Sequence, residues 1–137
     1  MVSHKTLSAV IVVLCVAGEY LARTALREWL VYSYNTGAAF GIMGGSPAVL
    51  MSLEAAANVI LVGVLLFAKM RLITRVGLSL MLGGALSNLG ERLLIGHVID
   101  WIPVPFMNLQ YNLADVCIAL GALIVFLAVN KQGGESS

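Results

Sequence analysis

The sequence predicts an all-α polytopic membrane protein with four transmembrane helices and a small extracytoplasmic β-sheet at the membrane surface. Three observations predict it. Of the 137 residues, 60% are hydrophobic and 11% charged, far from the roughly 25% charge of a soluble domain. The apolar residues gather in four stretches, each close to the ~20 residues that a helix needs to cross a bilayer. The segments joining the first stretch to the second, and the third to the fourth, are rich in β-formers, aromatic residues and prolines. Four spans leave little room for a soluble domain, so residues 1–130 are expected to form one domain whose active site, if any, is built from spans and short loops. Residues 131–137 are polar and contain Gly and Ser; they are expected to be a disordered C-terminal tail.

The first apolar stretch is Thr6 to Leu26, and the N-terminus, Met1 to Gly18, imitates a signal peptide, with Lys5 ahead of an apolar run. Leu14, before Cys15, is too large for a lipoprotein-type cleavage site, and the apolar run continues past it. It is read as a retained span. Near its end Glu19 and Arg23 stand four apart, in the order that favours pairing on a helix. The outer segment Glu28 to Pro47 opens with Trp29-Leu30-Val31-Tyr32-Ser33-Tyr34, rich in β-formers, and Asn35-Thr36-Gly37 then supplies a turn.

The second span, Ala48 to Ala68, carries Glu54 about two turns in. No local partner is evident, so it either snorkels outward or reaches an outer arginine. Lys69-Met70-Arg71 is short enough only for a tight turn, which makes the second and third spans antiparallel neighbours. In the third span, Leu72 to Leu94, Gly83, Gly84 and Ser87 permit close helix packing, and no GxxxxGK[ST] pattern accompanies them. Asn88 and Arg92 share one helical face. In the segment Ile95 to Asn112, Pro103 and Pro105 hold Ile102 and Val104 extended, so Val98 to Pro105 is expected to be extended. The fourth span is Leu113 to Val129. Cys15 and Cys117 lie in apolar stretches and are read as buried thiols, and the sequence has neither a CxxC nor a His/Cys cluster of metal-ligand spacing.

Lys5, Lys69, Arg71, Arg75 and Lys131 fall on one side of the spans, against Arg23, Arg27 and Arg92 on the other. By the positive-inside rule the first side is cytoplasmic. Both termini are then inside. The basic residues are scattered and the net charge is +1, which sets nucleic acid aside as a partner.

Ionisable groups at membrane depth cost several kcal/mol or more, so each is a functional candidate. Glu19, Arg23, Glu54, Glu91, Arg92, Asp100 and Asp115, with Asn88 and Asn112, all belong to the outer half of the four-span arrangement. Four separate spans bring their polar residues to one level. Asp115 falls at the start of the fourth span, and Asp100 lies on the extended segment before it, near enough in sequence to fold back beside it. Two adjacent carboxylates share a proton and titrate as a unit, and such a pair can activate water while polarising a carbonyl. The structural alternatives are a helix N-cap for Asp115 and an interfacial turn for Asp100.

Four blocks in order carry a resemblance: Asn35-Thr36-Gly37-Ala38-Ala39-Phe40-Gly41; Gly83-Gly84-Ala85-Leu86-Ser87-Asn88 through Arg92; Val98-Ile99-Asp100-Trp101-Ile102; and Asn112-Leu113-Ala114-Asp115. Together they resemble the motif blocks of the lipoprotein signal peptidase, or signal peptidase II, family over roughly Glu19 to Ile118. The resemblance implies a bacterial inner-membrane aspartic endopeptidase that removes signal peptides from diacylglyceryl-modified prolipoproteins, cutting just before the lipidated Cys. It makes Asp100 and Asp115 the catalytic dyad and puts Asn35, Gly37, Asn88, Arg92, Asn112 and Glu19 in substrate-binding or dyad-supporting positions. Its implied partners are diacylated prolipoprotein signal peptides and membrane lipids, it implies no metal or organic cofactor, and a monomer is expected. Where the family usually shows Asp-Gln-x-x-Lys this chain has Glu19-Tyr20-Leu21-Ala22-Arg23, and where it commonly has Asn-x-x-Asp-Arg this chain has Asn88-Leu89-Gly90-Glu91-Arg92. Charge is kept while side-chain lengths change. Two other readings remain: a catalytically impaired paralogue that binds lipoproteins, and a small transporter using Glu54 or Glu19.

Overall fold

The computed structural model describes residues 3–37 and 46–134. Its elements are α1 (His4–Leu26), β1 (Ser33–Asn35), α2 (Pro47–Phe67), α3 (Leu72–Ile95), β2 (Val98–Asp100), β3 (Ile102–Pro103), β4 (Gln110–Tyr111) and α4 (Leu113–Gly134). All four helices are long and apolar enough to cross a membrane. The expected spans are therefore present: α3 and α4 begin at the expected residue, and α1 and α2 begin two residues and one residue before it. Residues 131–134, expected in the tail, instead continue α4, because Val129-Asn130-Lys131 gives the backbone no reason to break. Residues 135–137 and the Ala38 to Gly41 part of the first motif block lie outside the described residues.

Local devices set several of the helix ends. Ser3 caps α1, its side chain accepting from the Thr6 N–H at 3.0 Å; Pro47 opens α2 at a position where the missing N–H costs nothing. Gly96 closes α3 with φ of 82°, its N–H donating to the Arg92 carbonyl, a left-handed cap that suits glycine. Across the tight turn after α2, the buried Arg75 donates to the Leu65 carbonyl at 2.7 Å and satisfies one of the free acceptors at that helix end.

α3 is the hub. Half of its most apolar stretch is buried, against 11% to 17% for the other helices. The reason is its small residues. A Cβ at Gly83 would lie 2.6 Å from Cys15 Cβ of α1, and one at Gly84 would overlap the Ala114 carbonyl of α4. Further along, Gly77 faces Gly121, each so close that a Cβ on either would strike the other's carbonyl oxygen. α1 and α4 thus pack on two sides of α3, while α2 packs chiefly on α3. In lipid, where water does not drive helices together, such close approach is what binds them.

The polar end of the bundle carries two small antiparallel ribbons. β1 pairs with β2 in the register Ser33 with Asp100, Tyr34 with Ile99 and Asn35 with Val98. β3 pairs with β4, and the Trp101 N–H donates to the Tyr111 carbonyl at 2.8 Å to join them. The extended reading of Val98 to Pro105 holds for both strands. The first ribbon starts later than its β-formers suggest, because the Trp29 N–H still donates to the Leu26 carbonyl and finishes the last turn of α1. Asn35, expected in the turn, is the last residue of β1.

The glycines of α3 separate packing from propensity. Gly84→Ala should destabilise the bundle by about 1–3 kcal/mol through overpacking. At Gly90, where an added Cβ would meet nothing within 4 Å, alanine should be neutral or stabilise by up to about 1 kcal/mol. Thermal unfolding of both variants in one detergent checks the contrast.

Candidate active site

The N-terminus of α4 organises the site. Helix starts leave free N–H groups, and inside a membrane protein few waters are at hand to bond them. Asn112 caps the helix: its Oδ1 accepts from the Asp115 N–H at 2.8 Å, while the Asp115 Oδ2 accepts from the Asn112 N–H at 3.3 Å. This is a reciprocal capping box. Asp115 is therefore the third helical residue and not the N-cap.

From that cap a chain of amides reaches the second carboxylate. Asn112 Nδ2 donates to Asp100 Oδ1 and to Asn88 Oδ1, both at 3.0 Å, and Asn88 Nδ2 donates to Asp115 Oδ1 at 2.8 Å. Asn35 Nδ2 closes the other side of Asp100, donating to Oδ2 at 3.1 Å. Asp100 and Asp115 are thus joined through two shared amides. They also line one cavity of about 470 Å³, between β1, the stretch before β4, α2, α3 and the start of α4.

Asp100 sits on β2 and is 3% exposed, not on an interfacial turn. Burial pushes its pKa above the usual carboxylate value. The Asn35 hydrogen bond opposes this, the charge of Asp115 adds to it, and the Asn112 hydrogen bond and Arg92 oppose it in turn. Asp115 is half-buried at a helix N-terminus, where the helix dipole favours negative charge. The two carboxylates occupy different environments.

Gly37 serves the wall of the cavity. Its φ is 81° and its N–H donates to Asn35 Oδ1 at 2.8 Å, so the turn orients the Asn35 amide toward Asp100. Any Cβ there would overlap Leu50, and it would come within 4.0 Å of Arg92 Nη2.

Arg92 lines the same cavity and forms an ion pair with Glu54 of α2. This settles the open alternative for Glu54: it meets an outer arginine. Two buried atoms on this pair, Glu54 Oε2 and Arg92 Nε, have no partner among the described residues. Asn88 and Arg92 present one face of α3 to the cavity, as their spacing predicts.

The expected pair of Glu19 with Arg23 does not form. Arg23 pairs with Glu91 of α3, whose other oxygen accepts from the Ile99 N–H at 2.9 Å. Glu19 turns inward to N–H groups of Trp101 and of α4. The buried helix start is the stronger claim on a carboxylate, because those donors have no other acceptor among the described residues. Sequence reasoning missed Glu91 as a tether and Asn108 to Tyr111 as cavity wall. Glu91 was visible as an ionisable group at membrane depth; the 108–111 stretch offered no signal. Among the described residues no group of three or more His, Cys, Asp or Glu gathers to hold a metal ion.

Known proteins resemble this chain in sequence and in fold. A family model described as signal peptidase II matches residues 5–131. The chain is 37% identical over 123 residues to the lipoprotein signal peptidase of Pseudomonas paraeruginosa, across 82% of this chain and 72% of that one. It is 34% identical over 116 residues to that of Moorella thermoacetica, across 77% and 73%. A solved bacterial membrane enzyme shares the fold, with a TM-score of 0.76 over 95% of this chain and 91% of its own at 23% identity.

The Glu54–Arg92 pair should be felt in stability. Glu54→Ala leaves Arg92 buried and unpaired, at a cost of about 3 kcal/mol, whereas the double change Glu54→Leu with Arg92→Met should recover most of it. Thermal unfolding of the single and double variants measures the difference.

Proposed function

The chain belongs to the signal peptidase II family, and on that premise we propose that it is an aspartic endopeptidase acting on diacylglyceryl-modified prolipoproteins, with Asp100 and Asp115 as its dyad. The reading rests on one observation. Two carboxylates in unlike environments, linked through Asn112 and Asn88, face one cavity at the polar end of a four-span bundle.

The unlike environments suggest the division of roles. Asp100, buried and biased toward its protonated form, holds the shared proton and donates a hydrogen bond to the scissile carbonyl. Asp115, at the helix N-terminus where the dipole favours negative charge, acts as the base and takes a proton from water as the water oxygen adds to the carbonyl carbon. The Asp100 proton moves to the carbonyl oxygen. When the tetrahedral diol collapses, Asp115 passes its proton to the leaving nitrogen of the lipidated Cys and Asp100 recovers its own. Atoms balance over the cycle, and the free enzyme is restored.

The cavity supports this substrate class. Ser33, Tyr34 and Asn35 of β1 form one wall, along which an extended segment gains strand-like contacts that keep its backbone polar groups satisfied at membrane depth. The signal helix and lipid tails enter laterally from the bilayer. The excess of Lys and Arg on the opposite side puts both termini in the cytoplasm and the site near the outer face of the bacterial inner membrane. The enzyme works as a monomer on membrane-embedded precursors.

Asp100→Asn and Asp115→Asn should each lower kcat for a diacylated precursor peptide by about 10²- to 10⁴-fold. Cleavage by both variants at the parental rate sinks the protease reading.

Activity should follow a bell in pH, limited on the acid side by protonation of the ionised carboxylate and on the alkaline side by loss of the shared proton. Asn35 favours the ionised form of Asp100. Its removal in Asn35→Ala raises the Asp100 pKa further, so the alkaline limb of kcat/KM should move to higher pH.

A further inference from the structure

Glu19 is a carboxylate without a basic partner, deep in the protein and 2% exposed. Such a group is expensive unless both oxygens are well bonded. Here they are. Oε1 accepts from the Trp101 indole N–H at 2.8 Å, and Oε2 accepts from the backbone N–H groups of Leu113 at 2.7 Å and Ala114 at 3.3 Å. The positive end of α4 adds a favourable field.

The placement of the three donors carries the inference. Trp101 directly follows Asp100, and Ala114 directly precedes Asp115. One carboxylate from α1 therefore grips the neighbours of both aspartates, which come from different elements. We propose that Glu19 is a positioning residue that sets the spacing of Asp100 and Asp115 by clamping β2's exit and the start of α4 to a common point. This rests on the reading of those aspartates as the reacting pair. Nothing else among the described residues bonds both segments from a third element: Asn88 joins Asn112 to Asp115 from α3, and Glu91 holds only Ile99.

The clamp needs a carboxylate of this length. A glutamine has one acceptor oxygen, and its amide N–H₂ would face an N–H on whichever arm it met. An aspartate is shorter by about 1.5 Å, one C–C bond, and reaches one arm or the other. Misplacement of this size at reacting groups costs rate more than binding. Trp101→Phe cuts a single arm, keeping the ring's packing while deleting its N–H.

The test is steady-state cleavage of a diacylated precursor peptide, in a Trp29→Phe background, by Glu19→Gln, Glu19→Asp, Trp101→Phe and the Glu19→Gln/Trp101→Phe double variant. Trp29 is 84% exposed, and its replacement leaves Trp101 as the sole tryptophan. The expected result is a fall in kcat of about tenfold to a hundredfold in Glu19→Gln, with KM within about twofold. Glu19→Asp recovers part of the loss, Trp101→Phe shows a smaller loss in kcat, and the double variant is no worse than Glu19→Gln. Trp101 emission shifts in Glu19→Gln. Parental kcat in both Glu19→Gln and Trp101→Phe overturns the proposal, as does a loss confined to KM, which would make Glu19 a substrate contact. If Glu19→Gln does not fold, Trp101→Phe decides: a reduced kcat at unchanged Tm supports the clamp, and a parental kcat overturns it. Failure of the underlying reading has its own signature, since Asp100→Asn and Asp115→Asn then cleave like the parent.

Discussion

The cap of α4 is the interaction on which the rest of the site depends. A helix that begins at buried residues, as α4 does at Asn112 and Ala114, must find acceptors for its first N–H groups. This one finds them in Asn112, Asp115 and Glu19. Because the Asn112 amide also donates to Asp100 and Asn88, the solution to a backbone problem is at the same time the frame of the site. The carboxylate that completes the capping box is one of the two that face the cavity.

The bundle supplies the geometry that lets this happen. Gly84 permits α3 to approach the Ala114 carbonyl, in the first turn of α4, and Asn88 follows one turn later on α3 to meet Asp115. Gly83 brings α1 equally close on the other side, at Cys15. Glu19, about one turn beyond Cys15, then lies level with the start of α4 and can reach its N–H groups. Close packing in the membrane and polar satisfaction at its edge are two aspects of one arrangement.

Charge is distributed with the same economy. Arg23 and Arg92 are each neutralised by a glutamate on another helix, so α1 is tied to α3 and α2 to α3. Glu91 also holds the residue before Asp100, and Glu19 holds the one after it. The aspartate that needs a fixed position is therefore bracketed by two glutamates, both at positions where the usual family pattern has the shorter aspartate. The longer side chains are engaged, not idle.

The four spans were legible in the sequence because their signal is local and additive: about 20 apolar residues cross a bilayer wherever they sit in the fold. The extended segment around Pro103 was legible for the same reason, since proline acts on its own neighbour. The residues of the site could be named, from the cost of charge at membrane depth and from ordered motif blocks. Their partners could not. Glu19 and Arg23 stand four apart on one helix and look paired, yet each is claimed by another element: Glu19 by N–H groups at the start of α4, which need acceptors, and Arg23 by Glu91 of α3. By itself the sequence determined the number of spans and which polar groups meet at one end. Only the tertiary structure decided which donor meets which carboxylate, since that depends on helices separated by up to 95 residues in the chain approaching within hydrogen-bond distance.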